Sequence, residues 1–399
     1  MTERLYYQHK LYECEARVVA CVPCENGYTV TLDRTVIFPE SGGQLPDTGF
    51  IGDARVLDAQ ESGDDVVHMC DKPLEVGADV VVKIDVEQRL DYTQQHTGEH
   101  IISGIISSMF GGTNVGFHMA KDYCTVDTDI VLSKEQLDII ELEANKAVRD
   151  NVAIITKTVD AAELENYTLR KKTKGLQGEV RIVFIGNVDS CTCCGTHCEY
   201  SGEVGAVAIT DSMKYKQGTR IWFSCGERAI KEAQNNAKIV ASIANRFSTG
   251  REEAYNAVVR QGDELSALKR ELKKRTDMLF EYKASELVNG AESAGNAKIV
   301  VATLDEFNMQ ELKMLCEKIP QDKNLAVVLL SKVGENVFYQ IKTGKNIKQN
   351  AKEICLVVNA MTGGKGGGRD DFAQGSCNSN LNVEETLCQL SAYLKKSLA

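Results

Sequence analysis

The sequence predicts an α+β fold in successive parts, and three patterns carry that expectation. Short stretches of alternating apolar and polar residues, such as TVTLD and ARVLDA, run from Leu5 to about Val82 between the turn sequences CENG, SGGQLPDTG and ESGDD. Alternation with a period of two marks half-buried strands. In DYTQQHTGEHIISGIISSMFGG, Ile101, Ile102, Ile105 and Ile106 share one helical stripe, closed by a Gly-Gly stop. Further on, Val258, Leu265, Leu272 and Leu279 recur every seven residues with Leu268 between them, the spacing of a coiled-coil seam. The expected division is a small β-barrel over 1–85, a mixed α+β domain over 86–226, a helical or coiled-coil connector over 227–290 and an α/β domain over 291–399.

Taken in order, the remaining elements follow the same logic. Residues 133–150 open with a Ser and acidic residues and place Leu137, Ile140, Leu142 and Ala147 at helical spacing, which reads as a capped helix. Strand-like runs then appear in NVAIITKTV, EVRIVFIG, GAVAITD and TRIWFSC. Residues 227–288 contain no Pro and only two Gly, so they read as a long helix or helical hairpin, with Gly250 favouring a bend. After GAESAGN, the runs KIVVATL, LAVVLLSK and VFYQIKT alternate with a helical EFNMQELKMLCEKI, and VEETLCQLSAYLKKSLA closes the chain as a helix.

Composition narrows the partners. The 399 residues carry 57 Asp and Glu against 46 Lys and Arg, a formal charge of −11. Such a chain does not coat nucleic acid non-specifically, so any RNA contact must use local basic patches. The amino terminus lacks the apolar stretch of a signal peptide, and no run approaches the roughly 18–20 apolar residues that a membrane span requires. A cytoplasmic location without membrane contact is the expectation. The 14 Cys are then thiols in a reducing compartment, mostly small buried hydrophobes.

One segment breaks that scatter. Cys191, Cys193, Cys194 and Cys198 crowd around His197 in SCTCCGTHC, and three of the 6 His of the chain fall in this segment and in HTGEH. His96 and His100 sit four apart on the expected helix, so both rings project from one face toward a single ion. Cys193 and His197 are also four apart, in a Gly-containing turn that lets a thiolate and an imidazole converge, and the two pairs together suit zinc. A different ligand set stays open at this level: Cys191 and Cys194 form a CxxC pair that, with Cys198, suits a closed structural site.

HTGEH at 96–100, CCGTH at 193–197, FPESGGQLPDTG at 38–49 and the late GGKGGGRDDFAQG together resemble the editing half of alanyl-tRNA synthetase with its DHHA1-type C-terminal domain, and the long free-standing alanyl-tRNA editing proteins. The resemblance extends over nearly the whole chain. It implies hydrolysis of the ester on mischarged tRNA(Ala), chiefly Ser-tRNA(Ala), with Gly-tRNA(Ala) as a second substrate. It maps the Zn2+ ligands onto His96, His100, Cys193 and His197. The ATP-binding motifs of the synthetase have no counterpart, so aminoacylation is not expected. By its match to the family's GGGQ motif, Gln44 is a candidate contact to substrate or terminal adenosine, against a hairpin turn whose Gln faces solvent. Thr97 is a candidate hydrogen-bonding group near the zinc, or equally a capping or packing residue. Glu99 departs from the small hydroxyl residue of an HTATH-type pattern; the residues leave it as a general base, a partner that orients a ligand His, or a solvated carboxylate.

Candidate RNA contacts are Arg170, Lys171, Lys172 and Lys174 in LRKKTKG, and Lys214, Lys216 and Arg220 in SMKYKQGTR. In GGKGGGRDD, closely spaced glycines suit exposed N–H groups cradling phosphate, with Lys365 and Arg369 adding charge. The resemblance implies that this module binds the tRNA body, and the coiled-coil seam and C-terminal domain are candidate homodimer surfaces. The competing expectation is a non-catalytic, zinc-stabilised tRNA- or RNA-binding protein. A phosphodiesterase is disfavoured because no DHH triad occurs.

Overall fold

The alternating segments of the first 85 residues close on themselves. In the computed structural model, which describes every residue except 171–174, 176, 379–381 and 399, the strands β2 (Glu13–Cys24), β3 (Gly27–Leu32), β5 (Gly49–Ile51), β6 (Ala54–Ser62), β7 (Asp65–Cys70) and β8 (Asp79–Ile84) form a closed barrel. Their order is β2-β3-β7-β6-β5-β8, antiparallel throughout. A short parallel pair, β1 (Glu3–Arg4) with β4 (Arg34–Thr35), lies beside it. Val18, Val30, Leu32, Ile51, Val56 and Val82 fill its core.

One histidine is built into that barrel. His68 is fully buried, with Nδ1 3.0 Å from the Val30 carbonyl and Nε2 3.0 Å from Thr35 Oγ1. Burial lowers its pKa to about 4, so the folded barrel holds it neutral. Between this value and an unfolded value of about 6.5 the unfolded chain binds the extra proton, so stability rises with pH across that window. Lowering the pH from about 6.5 to 4 should therefore remove roughly 3 kcal/mol. Urea midpoints at pH 7 and pH 4.5 should separate less in His68→Gln than in the wild type; equal separations would remove His68 from the acid response.

The helix α1 (Val86–Phe110) begins at Asp85, whose side chain accepts from the Gln88 amide, and ends at Gly111 in the left-handed conformation. It is followed by β9 (Asn114–Met119), β10 (Cys124–Thr128) and α2 (Lys134–Asp150), the last opened by a Ser133–Gln136 capping box. Then come β11 (Ile154–Asp160), β12 (Glu179–Ile185), β13 (Asp189–Thr192), β14 (Val207–Tyr215) and β15 (Gly218–Cys225). They make two sheets, β14-β15-β10-β9 and β11-β12-β13. Ile101, Ile102 and Ile106 of α1 meet Ile140 of α2, Val183 of β12 and Phe223 of β15 in one core. That packing fixes the face of α1 that carries the histidines.

The chain divides into two compact units, Met1–Arg246 and Phe247–Ala399, so the division falls inside the expected connector. The connector is two helices, α3 (Gly226–Arg246) and α4 (Ala254–Asn289), interrupted around Gly250. The heptad residues of α4 are exposed, Leu272 by 68% and Leu268 by 62%, so they form an uncovered apolar stripe.

The second unit holds a six-stranded sheet in the order β16-β17-β18-β19-β21-β20, built from β16 (Glu292–Ala294), β17 (Ala297–Asp305), β18 (Leu325–Val333), β19 (Asn336–Thr343), β20 (Lys365–Gly368) and β21 (Phe372–Asn378). Only β17 and β18 pair in parallel, joined through α5 (Met309–Lys318). The helices α6 (Ala351–Thr362) and α7 (Val383–Leu398) complete it. The glycine run expected to cradle phosphate with exposed N–H groups forms the edge strand β20, paired with β21 from Lys365↔Ser376 to Gly368↔Ala373. Its amides face a sheet partner on one side. Among the described residues no helix is long and apolar enough to cross a membrane.

Candidate metal centre

Residues far apart in sequence converge where α1 faces the loop after β13. His96 and His100 stand one turn apart on α1, and the loop brings Cys193 and His197 to them, with one ligating atom of each within 4.8 Å of all the others. Cys193 Sγ is 3.2 Å from His96 Nε2, and His197 Nε2 is 3.2 Å from His100 Nε2. A tetrahedral zinc with ordinary bond lengths sets neighbouring N and S donors about 3.3–3.6 Å apart. Three imidazoles and one thiol at this spacing fit that ion. The all-thiol alternative is not assembled among the described residues: Cys194 is exposed, and buried Cys198 packs in the hydrophobic core.

The donor chemistry agrees. Burial opposes ionisation of Cys193, but His96, His100 and His197 outweigh it and hold the thiol well below its ordinary value. Burial takes His197 down to about 3, leaving the neutral imidazole that a metal ligand must be. His96 Nδ1 donates to Gln44 Oε1 at 2.9 Å and His100 Nδ1 donates to Asp189 Oδ2 at 2.9 Å, which turns the Nε2 of each ring to the centre. Burial opposes protonation of His100, but Cys191, Cys193 and Asp189 outweigh it and hold the ring well above its ordinary value, so a metal binding there displaces a proton. Asp189 is itself gripped by Arg170, Nε to Oδ1 at 2.6 Å and Nη2 to Oδ2 at 3.0 Å. Burial pushes the Asp189 carboxyl up, yet the hydrogen bonds from His100 and Arg170 bring it to about 2.

Gln44 is placed by a turn that needs glycine. Gly42 and Gly43 both have positive φ, 60° and 82°, and the Ser41 and Gln44 backbones bond each other across the turn. The Gln44 side chain enters the interior, fully buried, where Oε1 also accepts from the Thr196 amide at 3.0 Å and Nε2 donates to Thr196 Oγ1 at 2.9 Å. In this arrangement Gln44 orients His96 and ties it to the CCGTH turn. Truncation in Gln44→Ala, or loss of charge in Asp189→Asn, should weaken zinc binding about 10- to 100-fold. Chelator competition measures it; affinities equal to wild type would mean these partners do not position the ligands.

Burial and pairing bear on the other candidate residues. Thr97 is fully buried, its hydroxyl donating to the Thr93 carbonyl at 2.7 Å and accepting from the Cys198 amide at 3.1 Å, which braces α1 against the loop. Glu99 is 3% exposed, so it is not a solvated carboxylate. Ser103 Oγ and Asn114 Nδ2 donate to its Oε1, and its Oε2 lies 4.0 Å from His100 Nε2. Arg170 is taken from the surface by Asp189, and Arg220 is paired with Asp127 and stacked 3.9 Å from the Tyr215 ring. Lys214, Lys216, Lys365 and Arg369 are exposed, while Lys171 and Lys172 lie outside the described residues.

The positioning residues that sequence reasoning missed are Asp189, Arg170 as its partner, and Arg181, whose Nη1 donates to the Cys193 and Gly195 carbonyls at 3.1 and 2.9 Å. Arg181 thereby shapes the ligand loop from β12. Next to the centre, His96, His100, Cys193, Glu99 and Phe117 line an open cavity of about 490 Å³. A small polar group has access to the three ligands from this side.

Comparison with known proteins adds to this geometry. Residues 296–396 match the DHHA1 domain family, and residues 180–222, which include the ligand loop, match the threonyl and alanyl tRNA synthetase second additional domain. The chain thus carries a segment of the synthetase second-additional-domain type, with the ligand loop inside it, followed by a DHHA1 domain. The chain is 27% identical to alanyl-tRNA editing protein Aarsd1-B of Xenopus laevis, over 92% of this chain and 91% of that one. It is also 27% identical to alanyl-tRNA editing protein AlaX-L of Pyrococcus horikoshii, over 94% of each. Alanine–tRNA ligase of Pyrococcus abyssi is 29% identical over 97% of this chain and 43% of its own length. The chain is a homologue of the alanyl-tRNA editing proteins along nearly its full length.

Proposed function

We propose that this chain is a zinc-dependent trans-editing deacylase that hydrolyses the aminoacyl ester of mischarged tRNA(Ala), with Ser-tRNA(Ala) as chief substrate and Gly-tRNA(Ala) as a second. The observation that carries the reading is the set of four ligand side chains, three of which (His96, His100 and Cys193) line a cavity of about 490 Å³, in a homologue of proteins named for alanyl-tRNA editing. His96, His100, Cys193 and His197 hold the ion. Bound zinc supplies a Lewis acid beside the ester. An aminoacyl ester is already activated, so an oriented water and stabilised charge at the carbonyl suffice without a protein nucleophile.

The protein's own part is orientation. Gln44 and Asp189 fix the ligand rings, Arg181 fixes the loop, and Glu99 presents a carboxylate oxygen at the inner wall of the cavity. Exposed Lys214 and Lys216 on the first unit, and Lys365 and Arg369 on the second, supply phosphate contacts, with Lys171 and Lys172 assigned the same role. The exposed leucine stripe of α4 is the proposed homodimer surface.

A full complement of four protein ligands is also what a structural zinc site has, which favours the second reading, a zinc-stabilised RNA-binding protein. Matched Ser-, Gly- and Ala-charged tRNA(Ala) separate the two. The deacylase reading expects fast loss of Ser, measurable loss of Gly and sparing of Ala. Binding of all three without hydrolysis would establish the second reading.

A further inference from the structure

The cavity beside the metal centre is lined by one buried carboxylate, Glu99, together with His96, His100 and Cys193. The other carboxylate on its lining, Glu179, is exposed at the start of β12. The two oxygens of Glu99 are not used alike. Ser103, one turn on along α1, and Asn114, at the start of β9, both donate to Oε1. The Gly116 amide donates to Asn114 Oδ1 at 2.8 Å, which holds that side chain the way round that aims its NH2 at Glu99. Oε2 accepts no hydrogen bond among the described residues, and no Lys or Arg among them pairs with Glu99. It is unpartnered but not sealed, since the side chain keeps 5% of its surface accessible. It lies 4.0 Å from His100 Nε2, beyond hydrogen-bond reach and beside the ligand atoms.

Charge says what such an oxygen can take. The cations on the cavity lining are Arg170 and Arg181, and a bound zinc adds a dication. Arg170 is held by Asp189, and Arg181 by the Cys193 and Gly195 carbonyls. An aminoacyl ester brings one more cation, a primary α-ammonium two bonds from the ester carbonyl. Beside the zinc and the two arginines that group is repelled; beside Glu99 it is attracted. A half-used buried carboxylate and an ammonium each supply what the other lacks.

We propose that Glu99 Oε2 binds the α-ammonium of the aminoacyl group and so sets the ester carbonyl against the metal centre, as a charge-assisted hydrogen bond. Ser103 and Asn114, through Oε1, keep the carboxylate from turning away. This role deepens the deacylase reading and rests on it. The contact is common to Ser, Gly and Ala, so Glu99 positions the substrate and leaves selection of the amino acid to other walls of the cavity.

The test uses the full-length, zinc-loaded protein and calorimetric titration with the seryl and glycyl amides of 3′-amino-3′-deoxyadenosine, which keep the aminoacyl group and replace the scissile ester. N-acetylation of the seryl amide should weaken its binding to wild type by at least about tenfold, and to Glu99→Gln by less than about twofold. Glu99→Gln should weaken the unmodified seryl and glycyl amides by the same factor. Equal losses on acetylation in both proteins would assign the amine to the zinc and overturn the proposal. A loss in Glu99→Gln confined to the seryl amide would assign Oε2 to the serine hydroxyl, with the same consequence. Wild type alone decides if the variant does not fold: an N-trimethyl seryl amide, similar in bulk to the acetyl form, keeps the positive charge and cannot ligate a metal. It should bind more tightly than the acetyl form; the reverse order, or no binding of the unmodified amide, overturns the proposal. Hydrolysis of Ser-tRNA(Ala) by the same wild-type sample reports separately on the deacylase reading, which survives if the ester turns over with no preference for a free amine.

Discussion

Cys193→Ala should abolish the metal centre. The substitution removes the sulfur ligand and the negative charge that the three surrounding histidines stabilise, leaving neutral rings alone to bind a dication. Loss of a partner outside the ligand shell typically costs about 10- to 100-fold in affinity or activity, so loss of a ligand should exceed 100-fold. Zinc per chain should fall toward zero, and hydrolysis of Ser-tRNA(Ala) with it. The barrel core draws on residues before Asp85 and the second unit on residues past Phe247, so circular dichroism should retain most of its signal. A Cys193→Ala protein that keeps stoichiometric zinc and normal turnover would place the ligands elsewhere.

Gly195→Ala should do similar damage without touching a ligand atom. A Cβ at Gly195 would lie 2.1 Å from His96 Cε1, 2.3 Å from His96 Nδ1 and 3.0 Å from Gln44 Oε1. Atoms do not share that space, and neither neighbour is free to retreat: Gln44 is bonded at both ends of its amide, and His96 is held by it. The ring or the turn must move, and either motion breaks the His96–Gln44 bond. Zinc affinity should fall by about 10- to 100-fold and deacylation should fall with it. Gly262→Ala is the control, since nothing lies within 4 Å of its added methyl in α4. If Gly195→Ala matched that control in zinc binding, the packing of the turn against His96 would be irrelevant to the site.

How much of this was legible depends on the range of the physics involved. His96 and His100 are readable because helical spacing alone puts them on one face, and Cys193 with His197 because four residues around a glycine suffice for convergence. Each pair is local. Asp189 and Arg170 were not readable as positioning residues because their value comes from contacts to His100 that are 89 residues away for Asp189. Arg170 begins a basic run, and charge alone makes such a run look like surface; burial against Asp189 is a tertiary fact.

Gln44 is legible as a special position, but its contact to His96 is not. The SGGQ turn signals an unusual backbone, but whether its side chain turns toward substrate or toward His96 is decided by the Thr196 amide, 152 residues on. The heptad in α4 gave the helix correctly, since periodicity reports secondary structure, and left open what covers the leucines. The glycine run near Lys365 is not legible as a strand because glycine carries no side-chain pattern; pairing with β21 makes it one.

The most direct test of the central claim is a zinc titration of stripped protein, following hydrolysis of Ser-tRNA(Ala) as the ion is returned. The account predicts activity that is absent without metal, rises linearly and saturates at about one zinc per chain, as a single four-ligand site requires. Undiminished hydrolysis by protein shown to hold no metal would contradict it.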